Sequence, residues 1–295
     1  TQALQTSTTV SNQTAVGYNA LKSSTTGGEN CAVGYIALKD NTTGDRNTAL
    51  GTFALENNTT GDDNTALGRN VLATNTTGSK NTAVGSNALE NNTGGDNTAV
   101  GYSTMEENTT GTHNTAVGAY ALEANTTGDE NTAFGKSSLG YNVSGSRNTA
   151  LGRSALSANL ADDNTGVGHD ALRANTTGSN NTAVGSWALD ANTTASNNTA
   201  IGYEALTANT TGISNTALGK SALGTSSTGS QNTAVGHNAL VLATTAHDNT
   251  ALGYAALFAN TTGDNNVGVG CSALAANTTG TSNTAIGRGA MAANT

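Results

Sequence analysis

Apolar positions along the chain fall into one recurring pattern: Ala, then Val, Leu or Ile, then Gly, with an Ala-Leu pair three residues further on. The Gly of this pattern stands at 17, 34, 51, 68, 85, 101, 118, 135, 152, 168, 185, 202, 219, 236, 253, 270 and 287, a step of seventeen residues with two steps of sixteen. A fixed period of this size is the mark of an array of stacked units, so the repeat decides the architecture before any single residue does. With Asn47 as phase 1, the unit Asn47 to Asp63 gives the consensus N-T-A-[VIL]-G-x-x-A-L-x-x-N-T-T-G-x-x. The two short units lose a residue at Asn92-Thr93-Gly94 and Asn159-Leu160-Ala161, which leaves N-T-A-V-G intact.

Thr-Ala-Val-Gly is too short and too Gly-bounded for a helix, and its alternation predicts a strand with Thr and Val on one face and Ala on the other. Ala-Leu opens a second predicted strand that ends at N-T-T-G. Gly at phases 5 and 15, among them Gly17, Gly51, Gly85, Gly185 and Gly253 at phase 5, is expected where the chain turns with positive φ. Two strands and two corners make one turn of a coil, and successive turns stack in parallel. The fold class expected is all-β, a parallel β-solenoid or β-roll of about seventeen turns, with residues 1–295 as one repetitive segment.

Charge sharpens the inside and outside of this coil. All 20 acidic and 11 basic residues fall at phases 6, 7, 10, 11, 16 or 17. Because burying an unpaired charge is very costly, those phases are expected in solvent and the eleven uncharged phases packed or stacked. Composition adds a constraint: 53 Thr, 40 Asn and 37 Gly leave 35% hydrophobic and 4% aromatic residues, with no Pro. Each unit then offers one large apolar side chain at phase 4 and one at phase 9, little against the entropy of ordering seventeen residues. Burial between chains is the expected remedy, with Ala facing the coil's interior and Val a partner copy. The net charge of -9 and the absence of any basic cluster exclude nucleic acid as a partner. No apolar run approaches the ~20 residues that span a bilayer, and Thr1 to Val10 has neither a basic nor an apolar leader region.

From Ser11 to Thr295 the N-[TS]-A-[VIL]-G-x-x-A pattern with a later G-x-x resembles the head repeat of trimeric autotransporter adhesins, and related repeats of bacteriophage tail fibres. The unit here is longer than the usual head repeat, the insertion being A-L-x-x-N-T-T. The resemblance implies a left-handed parallel β-roll, three chains around one axis, on a bacterial surface or a virion, used for attachment. It implies the chain itself as partner in a homotrimer, a cell-surface glycan or host receptor as ligand, and an extracellular location. The chain opens inside one repeat at Ala3-Leu4 and stops inside another at Asn294-Thr295, as expected of a segment of a longer fibre.

Reactive chemistry is sparse. Cys31 at phase 2 and Cys271 at phase 6 lie about fourteen units apart, roughly 67 Å at strand spacing, so no disulfide joins them within a chain. Cys31 is expected as a free thiol, or as a bond between symmetry-related copies. His113, His169, His237 and His247 occupy corner phases without metal-ligand spacing, and Asp62-Asp63 and Asp162-Asp163 lack the full calcium β-roll pattern. No catalytic, cofactor or metal site is expected. Asn-Thr-Thr triplets match the glycosylation acceptor but are better read as Asn and Thr ladders.

Aromatic residues gather at phases 6 and 7. Trp187 and Tyr203, beside Glu204, are the candidate surface contact for stacking on a saccharide. The expected function is therefore non-enzymatic: the shaft or head of a homotrimeric fibre. The rival from another class is an ice-binding β-solenoid using Thr ranks at phases 2, 13 and 14, although phase 4 is apolar where such ranks need Thr-x-Thr.

Overall fold

A computed structural model describes residues 3–4 and 12–294. The leader expectation for Thr1 to Val10 therefore lies outside the described residues apart from Ala3 and Leu4, as do Ser11 and Thr295. The chain resolves into two compact units, Thr1–Arg147 and Asn148–Thr295. The first holds β1 (Thr14–Val16), β2 (Cys31–Val33), β3 (Thr48–Leu50), β4 (Thr65–Leu67), β5 (Thr82–Val84), β6 (Thr98–Val100), β7 (Thr115–Val117) and β8 (Thr132–Phe134). The second holds β9 (Thr149–Leu151), β10 (Thr165–Val167), β11 (Thr182–Val184), β12 (Thr199–Ile201), β13 (Thr216–Leu218), β14 (Thr233–Val235), β15 (Thr250–Leu252), β16 (Val267–Val269) and β17 (Thr284–Ile286). Within each unit every strand pairs in parallel with the next, phase against phase: Thr48 with Thr65, Ala49 with Ala66, Leu50 with Leu67. Each unit is thus an all-β parallel solenoid, with no helix among the described residues.

Each turn has one three-residue strand, not the expected two. The Ala-Leu segment is the reason. Its Leu has positive φ in turn after turn, as at Leu38 (φ 52), Leu55 (φ 50) and Leu189 (φ 51), and so does phase 7, as at Phe53 (φ 61). Alternating the sign of φ alternates the direction of successive amides without extending the chain. Phe53 N–H donates back to Tyr35 C=O of the preceding turn (3.0 Å), while Leu55 N–H donates forward to Val71 C=O of the following one (2.9 Å). The segment keeps a ladder between turns while rounding a corner.

Glycine at phase 5 has the expected positive φ, 129 at Gly17, 141 at Gly51, 131 at Gly85, 135 at Gly185 and 133 at Gly253. Phase 15 corrects the expectation. Its glycines lack positive φ, and Gly61 is small for a different reason: a Cβ there would meet the Gly78 carbonyl and the Asn58 side chain. Two asparagines also converge on its carbonyl, Asn47 Nδ2 at 2.8 Å and Asn58 Nδ2 at 3.0 Å from Gly61 O.

The interior of a turn holds Ala at phases 3 and 8, Leu at phase 9 and Asn at phases 1 and 12, as with Ala49, Ala54, Leu55, Asn47 and Asn58, all fully buried. The asparagines join turn to turn: Asn58 Nδ2 donates to Asn41 Oδ1 at 2.8 Å, and Asn47 N–H to Asn30 Oδ1 at 2.8 Å. Such networks make a polar core tolerable because nearly every buried group finds a partner.

The uncharged phases are not all packed. Ala at phase 3 points inward and phases 2 and 4 face outward, as the alternation predicts, but phases 13 and 14 lie at the surface. The exposed phase-4 residues run from Val100, 36% exposed, to Ile286, 73% exposed, and include Leu50, Leu67, Phe134, Leu151, Leu218 and Leu252. Lack of charge at these phases marks a neutral face, not an interior.

Candidate functional site

Phase-5 glycine ends each strand and turns the chain into phases 6 and 7, so residues there stand above one another in successive turns. In the first unit Tyr18 stacks on Tyr35 with centroids 5.4 Å apart, and Tyr35 meets Phe53 edge-to-face at 5.6 Å. Tyr102 and Tyr120 form a second edge-to-face pair at 5.4 Å. In the second unit the two candidate residues do come together: Trp187 and Tyr203 lie edge-to-face at 5.4 Å. His169 meets Trp187 from the preceding turn at 5.8 Å, and Lys220 Nζ sits 5.8 Å from the centroid of Tyr203 in the following one. Each ring is thus engaged along the stacking direction by its neighbours, a packing that favours edge-to-face pairs and cation contacts. Burial by these neighbours, then the Glu204 carboxylate, pushes the Tyr203 phenol up.

Beside this column lies a surface groove of about 310 Å³ lined by Glu204, Thr207, Ser221, Gly224, Thr225 and Val241. It opens where phase 10 is Gly224, between Thr207 and Val241 at the same phase of the adjoining turns. Apart from Glu204, these residues escape a reading by aromatic content. Their signal is the broken consensus, since Gly224-Thr225-Ser226 and Val241-Leu242-Ala243 stand where the repeat has x-x-N.

The acidic corners have structural partners. Asp45 Oδ1 accepts Gly28 N–H at 2.7 Å, Asp62 Oδ1 accepts Asp45 N–H at 2.8 Å, and Ser79 Oγ accepts Asp62 N–H at 3.0 Å. Phase 16 therefore favours an acceptor that satisfies an amide of the preceding turn, a role taken by Asp and Ser and, at Ser230 N–H, by His247 Nδ1. Asp63 pairs with Arg46 at 2.6 Å, which holds its carboxyl below the usual range. Among the described residues no group of three or more His, Cys, Asp or Glu is placed to hold a metal. Cys31 and Cys271 are both free thiols, and Cys31 lies on the outward face of β2 in line with Thr14 and Thr48.

No protein-family model matches the chain, and a search of curated proteins finds no match.

Proposed function

We propose that the chain is a non-enzymatic structural and adhesive protein, a shaft or head segment of an extracellular homotrimeric fibre on a bacterial surface or a phage tail. The observation that carries this reading is the outward face of the strands. Every turn places an apolar residue at phase 4 beside a neutral residue at phase 2, usually Thr, and no charge interrupts the row in either unit. A contiguous apolar row of this kind is an association surface. A second copy carries the same row at the same spacing, and a self-complementary face favours symmetric assembly. The resemblance to adhesin and tail-fibre repeats supplies the trimer and the setting.

Cys31 reports on this face. In a parallel, in-register assembly through phases 2 and 4, the Cys31 thiols of the copies stand at one level. Mild oxidation or a short bis-maleimide, applied to Cys271→Ser protein, is expected to give a covalent dimer alongside unlinked chain, since three thiols leave one unpaired. A chain that stays wholly unlinked counts against the interface.

Ice binding is the second reading. In its favour, the phase-2 threonine hydroxyls such as those of Thr48 and Thr182 have no partner within the described residues. Against it, phase-13 hydroxyls are already bonded, as Thr59 Oγ1 is to Thr76 C=O at 2.9 Å. Thermal hysteresis above buffer would favour ice binding over the fibre.

A further inference from the structure

We infer that the groove at Glu204, Thr207, Ser221, Gly224, Thr225 and Val241 is a binding site for a neutral hexopyranose; this rests on the adhesive half of the proposed function and moves the contact off the aromatic faces. The groove, about 310 Å³, is at the small end of small-molecule sites, room for one sugar ring and not for a chain. Its floor is the buried backbone of Gly224 with the Val241 side chain, an apolar patch for the C–H face of a pyranose.

Its rim is polar and only partly used by the solenoid. The Thr207 and Ser221 hydroxyls have no partner within the described residues, unlike the phase-13 threonines. Thr225 Oγ1 donates to Val241 C=O at 2.7 Å and keeps lone pairs to accept. The Glu204 carboxylate engages the Tyr203 phenol and keeps further lone pairs for a sugar hydroxyl in a charge-assisted bond. Its negative charge disfavours acidic sugars. Lys220 Nζ sits over the Tyr203 ring.

The same position sets this turn apart from the other turns of the second unit. At phase 10 the other turns of the second unit carry a side chain, for example Asp190, Thr207 and Val241, which fills that space, while in the first unit Gly140 stands at the same phase. A Cβ on Gly224 would meet Ser221 C=O at 3.2 Å and Val241 Cγ2 at 3.6 Å, so a branched side chain there occupies the groove once the Ser221 carbonyl gives by a few tenths of an ångström, and the backbone has no positive φ to oppose it.

The test is saturation-transfer NMR and calorimetry of the full chain with the methyl glycosides of glucose, galactose and mannose, with N-acetylneuraminic acid as the anionic control. At least one neutral glycoside is expected to bind and the acid not. Glu204→Gln is expected to weaken binding by about tenfold, the loss of a charge-assisted bond, Gly224→Val to abolish it, and Trp187→Ser to leave it unchanged. No neutral glycoside bound at tens of millimolar overturns the inference. So does a preference for the acid, or binding that survives both groove variants in folded protein. Chain mass and Cys31 cross-linking are read separately, so a monomer that binds sugar refutes the fibre alone, and a trimer that ignores sugar refutes the site alone.

Discussion

At Gly185 the backbone has φ of 135, and the Gly202 carbonyl of the next turn lies where a Cβ would point. Strain and collision act together there. Gly185→Val is expected to cost about 3 kcal/mol or more, whereas Ser186→Val, half-buried at a phase that accepts many residues, should stay within about 0.5 kcal/mol. Thermal unfolding of the two variants checks this, and equal melting temperatures contradict it. The phase-5 glycine is legible in the sequence because nothing but glycine fits both demands. Positive φ at phase 9 is not, because leucine avoids that region on its own and adopts it only where alternating amides and a buried side chain enforce it. A partial signal exists at phases 7 and 17. Asn70, Asn87, Asp63 and Asp96 belong to the residue types that best tolerate positive φ.

At the scale of the ladders, the phase-12 asparagine column is strong where continuous and weak where the consensus fails. Asn192 donates to Asn175 at 2.8 Å and Asn209 to Asn192 at 2.9 Å, but Ser226 and Ala243 then interrupt the column. Asn209 Oδ1 and Ser226 Oγ are left buried without a protein partner. Restoring the column with Ser226→Asn and Ala243→Asn together is expected to add about 1–2 kcal/mol, read as a higher urea midpoint at unchanged slope. A less stable double variant would contradict the ladder's role. A second column is electrostatic. Glu90, Glu106 and Glu123 share phase 10 in successive turns, with Glu107 beside them. Burial, and then the neighbouring carboxylates, push Glu90 and Glu123 up, with Arg69 partly offsetting the shift at Glu90. A raised carboxyl favours the protonated form in the fold. Its contribution is therefore present below the ordinary glutamate pKa of about 4.3 and lost as pH rises through the raised value. Glu90→Gln with Glu123→Gln should be more stable than the parent at pH 7 and indistinguishable from it near pH 4; an equal gain at both pH values would contradict this sign. The single strand per turn was hidden from pattern reading for a related reason. Ala-Leu satisfies its amides from turn to turn as a strand does, so its hydrophobic pattern carries no mark of its dihedral angles.

For the whole molecule, the parallel coil and its inward Ala are legible because the period fixes the stacking and the small residues leave room for nothing else inside. The exterior is legible in part: the alternation puts phases 2 and 4 on the face away from the interior, and in each unit they do face out, with Leu50 and Leu252 close to half exposed, whereas phases 13 and 14, expected packed or stacked for lack of charge, lie at the surface too. A face both neutral and outward is what an assembly of copies requires, and that assembly is the central claim. The most direct measurement is the molar mass of the chain in solution by light scattering coupled to size exclusion, at micromolar concentration. The expected mass is three times the 29.1 kDa of one chain, independent of dilution through the micromolar range. A stable species of 29.1 kDa would contradict the account.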